Sequence, residues 1–368
     1  MIHSMKKYLA QILIAILLFA VTQLPVSAQA PSGPQEGGQP QAGPPPAPAQ
    51  QQPAPQQKKP EESGLSISVE VPIVTIDVIA TTQHGDILTG LKKENFKVIE
   101  DGVPQTIANF GPTDAPITMV MLMEFSSRGY QFFAYEAKYW ATALFPHLKK
   151  DDWVSLVTFD MRPRLEVDFT QNKQEVEEAV QHLYFPGFSE SNVFDALLDT
   201  VDRLKDVKGK KSILIMASGV DTFSKHTLDQ TLKLLRQTDV TIFAVGLDRP
   251  LNNYIESHGG RSAGLTSLQG ENQLKTFAQM TGGYAWFPQF DGEIPGIFQD
   301  VTAYLRNQYS LSYTPTNRDP NGKFRKVKVE LVNPDGTPLT VLDKKGKKQK
   351  VVVYAREGYQ PPKGGVGD

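Results

Sequence analysis

Apolar and polar residues alternate along both ends of the chain. The segment "SISVEVPIVTIDVIATT" (66–82) repeats with period two and is rich in β-branched residues, which predicts strands. The segment "NFKVIEDGVPQTIANF" (95–110) predicts a hairpin, with strands at Phe96–Glu100 and Thr106–Phe110 around an Asp101–Gly102 turn. The alternation returns after Gln308 in "YSLSYTPT", "RKVKVELV" and "KVVVYAREGY". Because three or four strands alone cover little apolar surface, we expect the strands of both ends to form one β-sandwich.

Between these ends, from Ile117 to about Asn307, continuous apolar strands alternate with amphipathic helices. Continuous apolar strands between such helices are typical of a parallel sheet covered on both faces. The pattern therefore predicts an α/β domain with a doubly wound, mostly parallel sheet, inserted in the β-sandwich. The predicted strands are 118–123, 153–160, 162–170, 212–218, 240–247 and 284–287. The predicted helices are 130–148, one from 172, 191–204 with Ser191 or Asn192 as its N-cap, 227–238, 271–280 and 294–308.

The first 63 residues contain two segments that are not expected to fold with the rest. Two lysines, an apolar run from about Leu9 to Val21 and small residues up to Ala28 predict a signal peptide over 1–28. The apolar run is short for a membrane span, which needs about 20 residues. The alternative to a cleaved signal peptide is an uncleaved membrane anchor. Residues 29–63 hold ten of the 27 prolines and almost no bulky apolar residue, which predicts a disordered Pro/Gln-rich linker. We therefore expect a secreted or periplasmic protein with no membrane span after signal cleavage.

Composition excludes several kinds of site. The chain has no cysteine, so disulfides, thiolate metal sites and cysteine nucleophiles are absent. A net charge of -2 gives no global attraction to nucleic acid, and the six histidines lack zinc spacing.

The predicted divisions are 1–28 (signal peptide), 29–63 (linker), 64–113 (first β-domain strands), 115–307 (α/β domain), 308–360 (last β-domain strands) and 361–368 (tail).

Three stretches of the α/β region resemble a von Willebrand factor type A (VWFA) domain, which has a Rossmann-like fold. They are the apolar strand that runs into Glu124-Phe125-Ser126, the helix start "VFDAL" after a serine-rich loop, and "ILIMASGVDT". The flanking "DILTGLKKENFKVIEDGVPQTIANF", "MTGGYAWFP" and "AREGY" resemble the acidobacterial VWFA-related family of secreted proteins. The likeness covers about Val71 to Tyr359. It implies the fold more firmly than a function, because the biochemical role of that family is poorly defined.

The resemblance also implies a site at the carboxyl edge of the sheet. Type A domains can hold a metal there with Asp-x-Ser-x-Ser, a Thr and an Asp from three loops. The aligned residues of this chain are Glu124, Ser126, Arg128, Ser191 and Ser218. Magnesium prefers six hard oxygens, whereas this set loses one acid and gains a cation. We predict that these five residues form a ligand-binding edge for a protein partner with no metal and no cofactor. In the alternative, Asp221 or Glu190 supplies the missing acid.

The sequence favours a non-enzymatic protein that mediates protein–protein interaction or adhesion. The segment "GFSES" (187–191) lacks the closing glycine and the preceding strand of a nucleophile elbow. The alternative function is that of an envelope hydrolase or a polyanion-binding protein. It would use the segment 248–270, which is polar and predicted to be a long loop, or the basic tip at 343–350. A Ser-His-Asp geometry in a cleft would favour the hydrolase.

Overall fold

The computed structural model describes residues 73–112, 115–126, 143–183, 188–259 and 264–361. Predictions for residues 1–63, for most of the helix 130–148 and for Arg128 lie outside these residues. The strands are β1 (Val74–Thr82), β2 (Phe96–Glu100), β3 (Val103–Gln105), β4 (Ile107–Pro112), β5 (Ile117–Glu124), β6 (Trp153–Phe159), β7 (Pro163–Thr170), β8 (Lys210–Ala217), β9 (Thr241–Gly246), β10 (Ala285–Trp286), β11 (Tyr309–Tyr313), β12 (Arg325–Leu331), β13 (Thr340–Leu342), β14 (Lys348–Ala355) and β15 (Gly358–Tyr359). The α-helices are α1 (Lys173–Gln181), α2 (Val193–Leu204), α3 (Leu228–Leu235), α4 (Asp248–Ser257), α5 (Gly264–Met280) and α6 (Ile294–Arg306). Short 3-10 turns lie at Lys93–Asn95, Phe145–His147 and Asp291–Glu293.

The apolar runs in the middle of the chain form a six-stranded sheet in the order β10-β9-β8-β5-β6-β7. All its neighbouring strands are parallel except β6 and β7. Every residue of β5 is buried, and Met121 and Leu122 pack into separate cores on opposite faces of the sheet. This confirms the predicted doubly wound, mostly parallel sheet. In register, Glu124 lies opposite Phe159 and Met123 opposite Met216, so the loops after β5, β6 and β8 meet at one edge.

The alternating segments at the two ends of the chain form two antiparallel sheets with a shared core. The first sheet has the order β13-β14-β1-β11-β4 and the second the order β15-β12-β2-β3. Apolar residues of both sheets, among them Ile76, Val98 and Leu311, belong to one buried cluster. Strands from both ends of the chain therefore complete each sheet, and the prediction of a β-sandwich around an inserted α/β domain is confirmed.

The hairpin after Phe96 has the predicted turn but a different second strand. Asp101 (φ 47) and Gly102 (φ 86) both have left-handed backbone angles, which a two-residue type I′ turn requires. The strand that pairs with β2 is β3, whereas β4 pairs with β11 in the other sheet. The single strand predicted at Thr106–Phe110 was therefore wrong in its start and in its partner.

The prediction of a long loop at 248–270 was also wrong. Its described residues form α4 and the first turns of α5, which begins earlier than the predicted start at residue 271. The packed positions of α5 include Ser267, Gly270, Glu271 and Gln273, so polar and small residues hide the helical period of the sequence. The two helices are joined by polar contacts, with Ser267 bonded to Asp248 and Arg249 Nη2 2.7 Å from Glu271 Oε2.

No helix among the described residues combines the length and the apolar character that a membrane crossing requires.

Candidate functional site

Four of the five predicted site residues lie together at the carboxyl edge of the central sheet. Glu124 ends β5, Ser126 follows it, Ser191 precedes α2 and Ser218 follows β8. We call the loop after β5 the first loop, the loop before α2 the second and the loop after β8 the third. The second loop is held against its neighbours by backbone bonds, from Asn192 N to Asp160 O (2.9 Å) and from Thr222 N to Ser191 O (2.8 Å). The four side chains are buried, and the fifth predicted residue, Arg128, lies outside the described residues.

The carboxylate of Glu124 connects the first and third loops directly. Its Oε2 accepts hydrogen bonds from Ser218 N at 2.7 Å and from Ser218 Oγ at 2.8 Å. Its Oε1 accepts one from Ser126 Oγ at 3.3 Å. We call Glu124 with Ser126 and Ser218 the carboxylate tie. A glutamate carries its carboxylate one methylene further than an aspartate, so the residue that departs from the family pattern is the one that spans the two loops.

The carboxylate tie is electrostatically costly in its ionised form. Glu124 is 3% exposed, and burial raises the pKa of its carboxyl group, while hydrogen bonds from Ser218 and the nearby hydroxyls of Ser191 and Ser126 lower it less. The Ser191 hydroxyl is close enough to favour the carboxylate, but its Oγ does not reach hydrogen-bond geometry with any described atom. A protonated Glu124 would present a donor to this buried, unpartnered oxygen.

The third loop also caps the helix that follows the second loop. Asp221 Oδ1 accepts from Phe194 N at 3.3 Å, and Ser224 Oγ, 2.5 Å from Asp221 Oδ1, accepts from Asp195 N at 3.1 Å. The first amides of α2 are therefore satisfied from another loop. Asn192 is the N-cap residue, one of the two predicted, and its side chain makes no capping bond. Burial raises the pKa of Asp221, which is already engaged by these contacts.

Among the described residues, the donors at this edge do not fit a divalent cation. Magnesium needs six hard oxygens in near-octahedral geometry, normally with one or two carboxylates. Both oxygens of Glu124 accept bonds from serines, and Asp221 is engaged in capping α2. In the described part of the chain, no group of three or more acidic or histidine side chains is placed to hold a metal ion.

A histidine–aspartate pair that the sequence did not predict lies beside this edge. His226 Nδ1 is 2.7 Å from Asp195 Oδ1, which also accepts from His226 N. Burial acts to raise the pKa of Asp195, but hydrogen bonds from Lys225 N and His226 outweigh it and lower that pKa. Within the described ranges, no hydroxyl is hydrogen-bonded to the His226 ring, and the pair holds residues 225–226 to α2.

An apolar groove runs from the third loop along α3 and α5. A cavity of about 210 Å³ beneath Asp221 shares Leu228, Gln269 and Gln273 with a groove of about 560 Å³. We call the two together the α3/α5 groove. Its lining includes Leu228, Leu232, Leu265, Leu268, Gln269, Asn272, Gln273 and Thr276. Gln273 Oε1 is buried without a hydrogen-bond partner among the described residues. The groove was not predictable from the sequence, because the pattern indicated a loop where α5 begins.

Two glycines place the third loop directly on α5. A Cβ atom on Gly270 would lie 2.5 Å from Ser218 O, and one on Gly219 would lie 2.4 Å from Gly270 O. Gly219 also has a φ of 78°, which L side chains rarely adopt. The end of the carboxylate tie at Ser218 is therefore in direct backbone contact with the helix that lines the groove.

Comparison with known proteins identifies the central domain. Residues 119–281 match the von Willebrand factor type A domain. The chain is also similar in structure to BatB from Bacteroides thetaiotaomicron, with 13% identity and a TM-score of 0.37 over 52% of this chain and all of that one. The vWF domain of the type V pili tip protein Mfa5 from Porphyromonas gingivalis has 12% identity and a TM-score of 0.38 over 52% of this chain and 96% of that one. Proximal thread matrix protein 1 from the mussel byssus has 13% identity and a TM-score of 0.40 over 56% of this chain, which spans about half of that protein. No curated protein matches the chain significantly.

These comparisons bear on the fold only. The predicted resemblance to a type A domain is confirmed by the match over residues 119–281. The acidobacterial subfamily stays a prediction, and the solved structures are too distant in sequence to carry a functional argument.

Proposed function

Because this chain carries a von Willebrand factor type A domain at residues 119–281, we propose that it is a non-enzymatic protein that binds a protein partner in interaction or adhesion. It acts outside the cytoplasm, in the periplasm or after secretion, as the predicted signal peptide requires. The partner docks on the sheet edge and the adjoining α3/α5 groove, and no divalent metal takes part. The observation that carries this proposal is the open apolar groove beside the third loop.

The exposed leucines of the groove support docking of a protein. Leu265 is 83% exposed and Leu268 is 56% exposed, in a groove whose floor also contains Leu228 and Leu232. Apolar surface of this kind, rimmed by polar side chains, is typical of interaction sites. The polar residues that line the larger cavity are amides and a threonine, and the charged residue of the groove lining is Asp221 in the smaller cavity. This composition favours an uncharged, apolar protein segment over nucleic acid or another polyanion.

The proposal predicts that the mature protein does not bind Mg²⁺ or Mn²⁺ usefully. The carboxylate tie has its only acid, Glu124, fully engaged by serines. Isothermal titration should therefore show no saturable heat below about 1 mM, the weak end of calcium-type protein sites. Saturable binding that disappears in Glu124→Ala would contradict the prediction, and the acid contributed by Asp221 or Glu190 would then be tested by Asp221→Asn and Glu190→Gln.

The groove is tested by site-specific photo-crosslinking. A photoreactive amino acid at position 265 or 268 should capture the same partner from the native envelope and secreted fractions, with or without EDTA. Leu234 is the matched control, since it is an exposed leucine on α3 that does not line the groove. Leu268→Lys should reduce capture by the neighbouring position 265 at least tenfold, because it places a charge among the leucines, whereas Leu234→Lys should not.

Equal capture from positions 234, 265 and 268 would contradict docking in the groove. Capture that requires Mg²⁺ would contradict the metal-free edge while leaving the groove itself supported. The two parts of the proposal therefore fail separately.

Binding of polyanions by the basic tip at 343–350 is the second candidate function. Asp343 Oδ1 accepts from Lys345 N and Lys347 N at 2.8 Å each, which tightens the turn between β13 and β14 and leaves its lysines exposed. Salt-sensitive retention on heparin that is lost when Lys344, Lys345 and Lys347 are replaced by glutamine would favour this candidate. The hydrolase alternative has less support, because no hydroxyl of the described residues is hydrogen-bonded to the His226 ring.

A further inference from the structure

A second cleft lies at the opposite end of the central sheet from the carboxylate tie. It has a volume of about 430 Å³ and is lined by residues of the β-sandwich and of the segment that leads into β9. Its apolar walls include Val74, Pro320 and Tyr359, and its polar lining includes Arg356 and Asp239. A volume of this size lies within the usual range of small-molecule sites, about 300–1,000 Å³.

Arg356 is held in a fixed position in this cleft by backbone carbonyl groups. Its Nε donates to Gly358 O at 2.8 Å and its Nη2 donates to Thr238 O at 2.9 Å. Its own backbone pairs with Thr281 in an isolated bridge. A guanidinium has five N–H donors, so these two bonds orient the group and leave its other N–H donors available to a ligand.

The charge of Arg356 is not paired with a carboxylate. Among residues 73–361 as far as they are described, no acidic side chain lies within ion-pair distance of its guanidinium. Burial disfavours the charged form and lowers the pKa of Arg356, with more distant acids opposing this effect. A desolvated, oriented cation at a cleft wall is a feature that a bound carboxylate would neutralise through charge-assisted bonds.

The other charges of the cleft are compensated or exposed. Arg325 is paired with the buried Glu100 at 3.2 Å, and Asp239 with Lys211 at 2.7 Å. Arg318 and Asp319, which also line the cleft, are exposed and carry opposite charges. Arg356 therefore differs from the other cations of the lining, because it is oriented by backbone carbonyls and has no ion-pair partner among the described residues.

We propose that this cleft binds an organic carboxylate with an apolar body. The carboxylate pairs with the free donors of Arg356, and the apolar body packs against Val74, Pro320 and Tyr359. The same chemistry is offered by the C-terminal carboxyl of a peptide and by a free carboxylic acid. This site is independent of the proposed docking groove, because the cleft and the groove share no lining residue.

The test compares an acid with its uncharged amide on the unmodified mature protein. N-acetyl-leucine should bind with a Kd on the order of 1 mM, as suits a ligand of this size with one ion pair, and N-acetyl-leucinamide should bind at least tenfold more weakly. A second comparison distinguishes a peptide C-terminus from a free carboxylic acid as the natural ligand. It uses the peptide Ala-Ala-Leu with a free C-terminus and the same peptide with an amidated C-terminus. Tighter binding of the free peptide than of N-acetyl-leucine indicates a peptide terminus, and weaker binding indicates a small acid.

Variants identify the cation. Arg356→Gln should weaken the binding of N-acetyl-leucine at least tenfold, and Arg356→Lys should weaken it less. The matched control is Arg318→Gln, at another arginine of the same cleft, which should change the Kd by less than about threefold. If Arg356→Gln does not fold, the acid–amide comparison on the unmodified protein still decides the matter. Equal binding of acid and amide, or a folded Arg356→Gln that binds as the unmodified protein does, would overturn the proposal.

Discussion

Replacing Glu124 by glutamine is expected to stabilise the protein near pH 7.5 and to have little effect near pH 4. Burial raises the pKa of Glu124 above its value in the unfolded chain, about 4.3. The stability associated with this carboxyl group is therefore fully present below the unfolded pKa and is lost as the pH rises through the folded pKa. Glutamine does not titrate, so the difference in unfolding free energy between Glu124→Gln and the unmodified protein should grow as the pH rises.

The geometry of the carboxylate tie suits an uncharged side chain. The glutamine oxygen can accept from Ser218 N and Ser218 Oγ as the carboxylate does. The glutamine amide group can donate to the hydroxyl oxygens of Ser126 and Ser191, the second of which has no partner among the described residues. Alanine has none of these bonds and leaves buried donors unpaired, so Glu124→Ala should lower the free energy of unfolding by about 2–4 kcal/mol.

The measurement is urea unfolding of the three proteins at several pH values between about 4 and 8. Glu175→Gln is the matched control, because it removes one negative charge from an exposed position of α1. Its effect should be small at every pH. A Glu124→Gln protein that is less stable than the unmodified one near pH 7.5, with a parallel pH profile, would show that the folded state favours the ionised carboxylate.

The fold was predictable wherever the hydrophobic period follows the packing. The strands β5, β8 and β9 contain continuous apolar runs that are buried on both faces, and the Asp101–Gly102 turn has the residue types that its backbone angles require. The start of α5 was not predictable in this way. Its packed face contains Ser267 and Glu271, and its exposed face contains leucines, so the pattern of the sequence is inverted there.

The site was predictable in its residues but not in its connections. The likeness to a type A domain brought Glu124, Ser126, Ser191 and Ser218 to one edge, where the parallel register places them. That Glu124 reaches across to Ser218 depends on a side-chain conformation that no sequence pattern encodes. The capping of α2 by Asp221 likewise depends on the path of a loop that is remote in sequence.

Placing an aspartate at position 218 is expected to destabilise the protein strongly when divalent cations are absent. Ser218 is buried, and its Oγ is 2.8 Å from Glu124 Oε2, so the new carboxylate would lie against the existing one. Two adjacent buried carboxylates cannot both ionise without a large cost, and an uncompensated buried charge costs about 3–5 kcal/mol. Ser218→Ala, the control, loses the hydroxyl bonds to Glu124 and from Val220 N and should cost only about 2 kcal/mol.

Magnesium should recover this loss once Arg128 is also replaced by serine. The double variant Arg128→Ser with Ser218→Asp has the second acid and the hydroxyl of the type A pattern, and it lacks a cation that cannot deprotonate. A cation bound only by the folded state stabilises it by about 2.7 kcal/mol at a concentration 100-fold above its Kd. Thermal unfolding with MgCl₂, against NaCl of equal ionic strength, measures this recovery. The unmodified protein should show none, because the carboxylate of Glu124 already holds the first and third loops together. An equal response of both proteins to magnesium would contradict that account.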